Sequence, residues 1–294
     1  MKTFKFILLA VFASFLFSCQ CKTTEAAKSD CPRTEKKIGL QLYSVRDTIA
    51  KDFKGTIKAL AAMGFKDVEA AGYKDGKFYG LTPEAFKAQL DSVGLNLLSS
   101  HAGSNLLADT ISKTNWDEIW KWWDTCIAAH KAAGAKYLVL PWMPVPKTLA
   151  DLKIYADYFN KIGEKCNKAG LIFGYHNHNH EFQKVGGEKG EVMYDYLLKN
   201  TDPNKVFFEM DVYWAVMGQA SPVAYFNAYP GRFKILHIKD DKELGQSGMV
   251  GFDAIYRNIG TAGAVYSIIE VERYSLPPLE SVKQSLEYLQ TAPF

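Results

Sequence analysis

The sequence is poor in the cysteine pairs that mark a disulfide framework or a thiolate metal site. Only five of its 294 residues are cysteine, and no two are spaced as Cys-X-X-Cys. Cys126 and Cys166 fall within helical patterns, which predicts ordinary buried thiols. This usage disfavours both a disulfide-stabilised scaffold and a zinc site built on cysteine.

Clustered positive charge is also lacking. The formal net charge is only +3, and lysine and arginine form no basic stripe. Binding to a phosphate backbone requires clustered cations. We therefore expect no nucleic-acid partner.

The apolar run near the N-terminus is short for a bilayer span. It follows Lys2 and Lys5 and ends at Ser18 and Cys19, which predicts a signal peptide over residues 1–18. The Ser-Cys ending resembles a bacterial lipobox, so Cys19 is a candidate lipid anchor, with plain secretion as the alternative. Residues 19–36 are polar and predict a flexible tether. We expect an exported bacterial protein, periplasmic or anchored to the membrane as a lipoprotein.

From residue 37 onward, short apolar runs alternate with one-sided helical patterns. Strand-like runs start near residues 38, 65, 95, 136, 171, 206, 233 and 265. Several follow a glycine typical of a helix C-terminus, at Gly64, Gly94, Gly134, Gly170 and Gly263. Alternating strands and helices predict a parallel sheet, and eight such units predict a single-domain (β/α)8 TIM barrel over residues 37–294. A doubly wound open sheet is the alternative, but neither Gly-X-Gly-X-X-Gly nor a P-loop follows the first strand.

Polar residues stand where the predicted strands end. Because chemistry in a TIM barrel lies at the carboxyl ends of its strands, these side chains should converge on one rim. Buried charges are costly unless they are paired or ligated, and mixed Asp, Glu and His without sulfur suit one divalent ion such as Mn, Mg, Co or Zn. In chain order these residues are Gln41, Tyr43, Arg46, Glu69, His101, Trp142, His176, His178, Glu181, Glu209, Asp211, His237, Lys239, Glu270 and Glu272.

The stretch GYHNHNHEF, residues 174–182, contains three alternate histidines followed by Glu181. Alternate residues of a strand face one way, so His176 and His178 should share a side. A zinc site built from these histidines alone is one interpretation. Such a site would give no ligand role to Asp211, His237 and Glu270.

With these motifs the sequence resembles the xylose isomerase-like barrels of the sugar phosphate isomerase/epimerase superfamily. The resemblance covers residues 37–294 and is carried by QLYSVRD, YHNHNHEF, LHIKD and IIEVE. In that family a divalent metal is typically held by Glu, Asp, His and Glu at the ends of strands 5 to 8.

The resemblance implies three metal ligands directly, Asp211, His237 and Glu270. At the end of strand 5 this chain has His176 instead of Glu, and Glu181 follows five residues later, so either residue is a candidate for the fourth ligand. Trp214 stands where the family frequently has a histidine. Substrate contacts on that side should therefore differ.

These features predict a metal-dependent isomerase or epimerase that acts on a sugar or keto-sugar through an enediolate-type intermediate. The candidates for proton transfer are Glu270, Glu181, Lys239 and His101. A small carbohydrate is the expected partner, bound by candidates Gln41, Tyr43, Arg46, His178, Trp142 and Trp214. The tryptophans would stack on a sugar face, whereas Arg46 and Glu69 are equally consistent with ion pairing at the rim.

Three other functions are compatible with the same residues. Expelling a β-substituent would make the protein a lyase or dehydratase that cleaves keto-glycosides. A sugar-binding lipoprotein without catalysis is a second alternative, suggested by the non-Glu residue at position 176. A metal-dependent nuclease is a third, but the basic face that it needs is missing.

Overall fold

Eight parallel strands form a closed barrel in the computed structural model, which describes residues 36–104, 106–107, 111–187 and 189–294. The order around the barrel is β1-β8-β7-β6-β5-β4-β3-β2, so β1 closes onto β8. This order confirms the predicted TIM barrel and excludes the open sheet. The strands are β1 Ile38–Gln41, β2 Asp67–Ala70, β3 Asn96–His101, β4 Tyr137–Leu140, β5 Ile172–His176, β6 Val206–Asp211, β7 Ile235–Lys239 and β8 Tyr266–Glu270.

Helices connect the strands and cover the outside of the barrel. Among the described residues they are α1 Arg46–Lys51, α2 Phe53–Met63, α3 Pro83–Asp91, α4 Trp116–Ala132, α5 Leu149–Ala169, α6 Met193–Asn200, α7 Val212–Met217, α8 Pro222–Ala228, α9 Phe252–Arg257, α10 Ile259–Ala262 and α11 Pro278–Thr291. The described part of the chain also contains three short 3₁₀ helices, Leu42–Val45, Ile111–Lys113 and His180–Phe182. In the same ranges, two small hairpins pair Tyr73–Lys74 with Lys77–Phe78 and Lys184–Val185 with Glu191–Val192.

Local sequence signals account for the ends of the longest helix that the structure describes, α5. The side chain of Thr148 accepts the backbone N–H of Asp151 at its start, and Gly170 ends it in the left-handed conformation with φ 85°. Gly64 ends α2 in the same way, with φ 105°. The remaining predicted caps, Gly94, Gly134 and Gly263, also have positive φ.

The core lies in two places. The larger part packs between the outer faces of the strands and the helices, and includes Phe159, Phe173 and Phe208. A smaller apolar cluster is composed of Leu98, Tyr137, Val139, Phe207, Ile235 and Ile268. Phe207, Ile235 and Ile268 stand two residues before Glu209, His237 and Glu270 on their strands, so the cluster lies beneath the polar strand ends.

The predicted signal peptide, Cys19 and the tether except for Lys36 lie outside the described residues. Within the described ranges, no helix combines the length and the apolar composition needed to cross a bilayer. Cys126 and Cys166 are buried free thiols, as predicted.

Candidate active site

Strand register brings the polar residues of β6, β7 and β8 together. Asp211 pairs with His237 across β6 and β7, and Lys239 pairs with Glu270 across β7 and β8. Side chains two residues apart on a strand share a face, so Glu209 and Asp211 point to the same side. All five side chains are buried.

Four of these strand-end residues form a compact set that we call the outer group: His176, Asp211, His237 and Glu270. One ligand atom from each lies within 4.8 Å of the others, and all four residues are buried. His176 Nε2 is 3.6 Å from Asp211 Oδ2, and His237 Nδ1 is 3.6 Å from Glu270 Oε2 and 4.0 Å from Asp211 Oδ2. The outer group contains every metal ligand predicted from the sequence except Glu181.

The outer group fits a divalent cation. Three of its buried ligand atoms, His176 Nε2, Asp211 Oδ2 and His237 Nδ1, have no hydrogen-bond partner. Leaving a buried polar atom unpaired costs about 1–3 kcal/mol, so three in one place call for a common partner. Nitrogen and carboxylate oxygen are donors that Mn, Co and Zn accept.

Backbone contacts orient two of these donors. Asp211 caps α7 by accepting the backbone N–H of Trp214 at 2.8 Å through Oδ1, which leaves Oδ2 free. His176 Nδ1 lies 3.3 Å from the carbonyl oxygen of Pro141. A carbonyl only accepts, so Nδ1 carries the proton and Nε2 is left as the donor atom for a ligand.

Glu181 lies apart from the outer group. Its carboxylate accepts the hydroxyl of Tyr175 and, at 2.9 Å, the backbone N–H of His178. Burial raises the pKa of Glu181. The contacts make Glu181 the anchor of the loop after β5, and they favour His176 as the fourth ligand.

The alternate histidines do not assemble into a site of their own. His176 and His178 both line one cavity, as the strand alternation predicts. The ring of His180 is turned toward the carbonyl oxygen of Met143, with Nε2 at 3.0 Å. Among the described residues, neither His178 nor His180 belongs to a group that could hold an ion.

Lys239 is held between two carboxylates. Its Nζ is 3.0 Å from Glu270 Oε2 and 2.8 Å from Glu272 Oε2, and only 2% of its side chain is exposed. Burial lowers the pKa of Lys239, but Glu270 and nearby carboxylates outweigh burial and raise it above its usual value. Burial conversely raises the pKa of Glu270, and Lys239 outweighs burial and holds it well below its usual range. The pair is therefore charged at neutral pH.

A second set of residues, the inner group, consists of Glu69, His101, Glu209 and the shared His237. His101 Nε2 is 2.7 Å from Glu209 Oε2 and 3.0 Å from Glu69 Oε1. Burial lowers the pKa of His101, but Glu69 and Glu209 outweigh it and raise the pKa to about 9. His101 thus carries a proton at neutral pH.

A cavity of about 300 Å³ opens beside both groups. Its walls include His101, His176, Glu270 and Glu272, together with Tyr43, Ala71, Pro141 and His178. The ring of His178 lies 5.5 Å from that of Trp214, and its pKa is lowered to about 2, chiefly by burial. His178 is therefore neutral and suited to bind a hydroxyl group.

Tyr43 and His178 line this cavity, but the other residues predicted to bind substrate, Gln41, Arg46, Trp142 and Trp214, are not among its lining residues. Trp142 is 43% exposed, and its ring lies 6.1 Å from that of His180. Arg46 donates to the carbonyl oxygen of Tyr43 at 3.0 Å and contacts the hydroxyl of Tyr274 at 2.8 Å. Gln41 is fully buried and donates to Glu69 at 2.8 Å, so it lies behind the cavity wall.

Sequence reasoning assigned no role to Glu209, and it left the role of Glu69 open. Glu209 alternates with Asp211 on β6, a spacing that was visible in the sequence and predicts the same face. Its partner His101 is 108 residues away on β3, so the contact depends on closure of the barrel.

Comparisons with known proteins agree with this architecture. The family model described as xylose isomerase-like TIM barrel matches residues 57–292. The structure of a sugar phosphate isomerase/epimerase from Parabacteroides distasonis is 36% identical, with a TM-score of 0.80, and the match covers 88% of this chain and 99% of that one. A 3-keto-D-glucoside 4-epimerase from E. coli is 18% identical with a TM-score of 0.66, over 88% of this chain and 100% of that one. At that identity the likeness shows the fold alone.

An inosose dehydratase from Lacticaseibacillus casei matches part of the chain. It is 24% identical over an alignment of 211 positions, and the match covers 65% of this chain and 64% of the dehydratase. The chain thus spans just under two thirds of the length of this relative.

Proposed function

The chain belongs to the xylose isomerase-like TIM barrel family, and on that premise we propose that it is a divalent-metal-dependent isomerase or epimerase of a keto-sugar. The reaction would begin with removal of a proton from the carbon next to the ketone. The observation that carries the proposal is the outer group, whose three unpaired buried atoms adjoin a sugar-sized cavity. Relatives named as a sugar phosphate isomerase/epimerase and as inosose dehydratases support the same chemistry.

The outer group would hold the cation through His176, Asp211, His237 and Glu270. When bound, the ion would polarise the substrate carbonyl as a Lewis acid. The protein's own acid–base groups approach the cavity from two sides: Glu272 follows β8, and His101 ends β3. We assign proton removal to Glu272 beside Lys239, and proton return from the other side to His101. Return from a second side inverts the carbon, which is epimerisation.

The substrate that fits this cavity is uncharged. Among the described residues, its lining contains no lysine or arginine, while Glu270 and Glu272 contribute negative charge. Lys239 is already paired with both glutamates, and Arg46 is bound to the loop after β1 and to Tyr274. The protonated imidazole of His101 is already paired with Glu69 and Glu209, so a phosphate dianion would meet the carboxylates of Glu270 and Glu272 without a free cationic side chain to offset them. We therefore propose a keto-sugar or keto-glycoside without phosphate, which also suits the exported location that we propose on the basis of the N-terminal segment.

A β-eliminating lyase or dehydratase is the second candidate. The sequence match to inosose dehydratases favours it. Lys239 is protonated beside Glu270 and would serve as the acid that protonates a departing hydroxyl or glycosidic oxygen. A non-catalytic binding protein is less well supported, because the outer group keeps four potential ligands in place.

NMR of product mixtures tests the proposal. We expect the protein loaded with Mn²⁺ or Co²⁺ to convert a 3-keto-glucoside, and its 6-phosphate at least tenfold more slowly. Inverted configuration next to the ketone would support epimerisation, whereas an enone and a released aglycone would identify a lyase. No conversion of any keto-sugar by the loaded protein, under conditions in which a known epimerase is active, would refute the proposal.

A further inference from the structure

His237 uses its two ring nitrogens differently. Nε2 lies 2.7 Å from Glu69 Oε1, whereas Nδ1 faces the outer group and has no hydrogen-bond partner. A carboxylate oxygen accepts, so Nε2 donates its proton to Glu69. When that proton is held, Nδ1 is the one ring nitrogen that can present a lone pair. We propose that Glu69 is a positioning residue that keeps the proton of His237 on Nε2 and directs Nδ1 toward the metal ligands.

Glu69 is itself held in one orientation. Its Oε1 accepts Gln41 Nε2 at 2.8 Å and lies 3.0 Å from His101 Nε2, and the residue is fully buried. Gln41 is fixed in turn, because its Oε1 accepts the backbone N–H of Tyr43 at 3.0 Å. These contacts fix the position of Glu69 Oε1, so the imidazole of His237 must align to it.

The assignment also bears on the inner group. With its proton on Nε2, His237 cannot ligate an ion from that nitrogen, so its lone pair on Nδ1 is available to the outer group alone. Two atoms of the inner group, Glu69 Oε2 and Glu209 Oε1, are also buried without a hydrogen-bond partner. The inference rests on the proposed metal site of the outer group.

Glu209 provides a matched control. It is as deeply buried as Glu69 and also contacts His101, but its Oε2 is 3.4 Å from His237 Nε2, against 2.7 Å for Glu69. Changing either glutamate to glutamine removes one buried carboxylate from the same place. Only Glu69→Gln weakens the bond that orients His237.

Calorimetric titration with Zn²⁺ distinguishes the two. Loss of a residue that orients a ligand typically costs about 10–100-fold in metal affinity, so we expect about a 10-fold loss in Glu69→Gln and about 100-fold in Glu69→Leu, which has no acceptor. Glu209→Gln should change the affinity by less than about threefold. An affinity in Glu69→Gln within about twofold of wild type, or an equal loss in Glu209→Gln, would overturn the assignment. Thermal unfolding of each variant checks that the fold is retained.

A second measurement needs no variant. Two-bond ¹H–¹⁵N spectra of the full chain should show His237 Nε2 protonated in the metal-free protein, and still protonated after Zn²⁺ is added, with Nδ1 bound. An unprotonated Nε2 in either state would sink the proposal even if the Glu69 variants do not fold. Failure of the wild type to bind Zn²⁺, Mn²⁺ or Co²⁺ would instead count against the proposed function, and the protonation of Nε2 would still decide the role of Glu69.

Discussion

A divalent ion should stabilise this protein against unfolding, and Asp211→Asn should abolish that effect. The three unpaired atoms of the outer group are buried in the folded barrel and dispersed in the unfolded chain. A ligand that binds only the folded state adds RT ln(1 + [L]/Kd), which is about 2.7 kcal/mol at a hundredfold excess over Kd. In a domain of this size each kcal/mol raises Tm by about 2–4 °C, so the expected rise is about 5–11 °C.

Substitution of two buried carboxylates, Asp211 and Glu181, shows whether the ion-dependent rise in Tm comes from the outer group. Asp211→Asn removes a negative ligand oxygen but keeps a side-chain oxygen that can accept the N–H of Trp214, so the cap of α7 survives. Glu181→Gln loses an acceptor for the His178 N–H or for Tyr175, which lowers Tm without touching the outer group. Scanning calorimetry of chelator-treated protein measures both the Tm of each variant without ion and the rise in Tm when Mn²⁺, Co²⁺ or Zn²⁺ is added.

The expected pattern is a full ion-dependent shift in wild type and in Glu181→Gln, and none in Asp211→Asn. If Asp211→Asn keeps the shift while Glu181→Gln loses it, Glu181 rather than the outer group binds the ion. If no ion moves the Tm of the wild type, the reasoning from unpaired atoms fails.

Three further predictions concern stability. Burial lowers the pKa of His130 from 6.5 to about 4, so between these pH values the unfolded chain binds a proton that the folded chain does not. The free energy of unfolding of the wild type should therefore fall by about 3 kcal/mol as the pH falls from 6.5 to 4. Urea titrations of His130→Asn should lack that decrease. A Cβ at Gly174 would lie 2.5 Å from the ring of Phe207, so Gly174→Ala should lower the free energy of unfolding by about 1–3 kcal/mol, and an unchanged urea midpoint would contradict this. Lys239→Met leaves Glu270 buried without its cation, so it should lower the free energy of unfolding of the metal-free protein by about 3–5 kcal/mol in urea titrations. Glu272→Gln should lower it by less, because Lys239 then still pairs with Glu270.

The fold was predictable because its signals are local. Apolar runs, helical periodicity and glycine caps such as Gly64 and Gly170 each involve a few neighbouring residues, and together they repeat eight times. The rule that strand ends meet on one rim placed the polar residues on the same side of the barrel, and the family resemblance then singled out Asp211, His237 and Glu270.

The parts that sequence left open depend on distant contacts. His176 lies in the outer group and Glu181 does not, because the turn His180–Phe182 folds Glu181 back onto Tyr175. The link between Glu69 and His237 joins residues 168 positions apart across the barrel. The pairing of β2 with β3 also has a register shift beside Glu69, because Val68 pairs with Leu97 but Glu69 pairs with Ser99. Hydrophobic periodicity cannot predict such an irregularity.

Exchange of a substrate proton with solvent tests the central claim most directly. The metal-loaded protein would be incubated in D₂O with a 3-keto-glucoside, and deuterium at the carbons next to the ketone would be followed by NMR, whether or not product accumulates. We predict incorporation far above the background rate in wild type, and a rate close to background in Asp211→Asn and Glu272→Gln. Background exchange by wild-type protein that demonstrably binds both the ion and the keto-sugar would contradict the account.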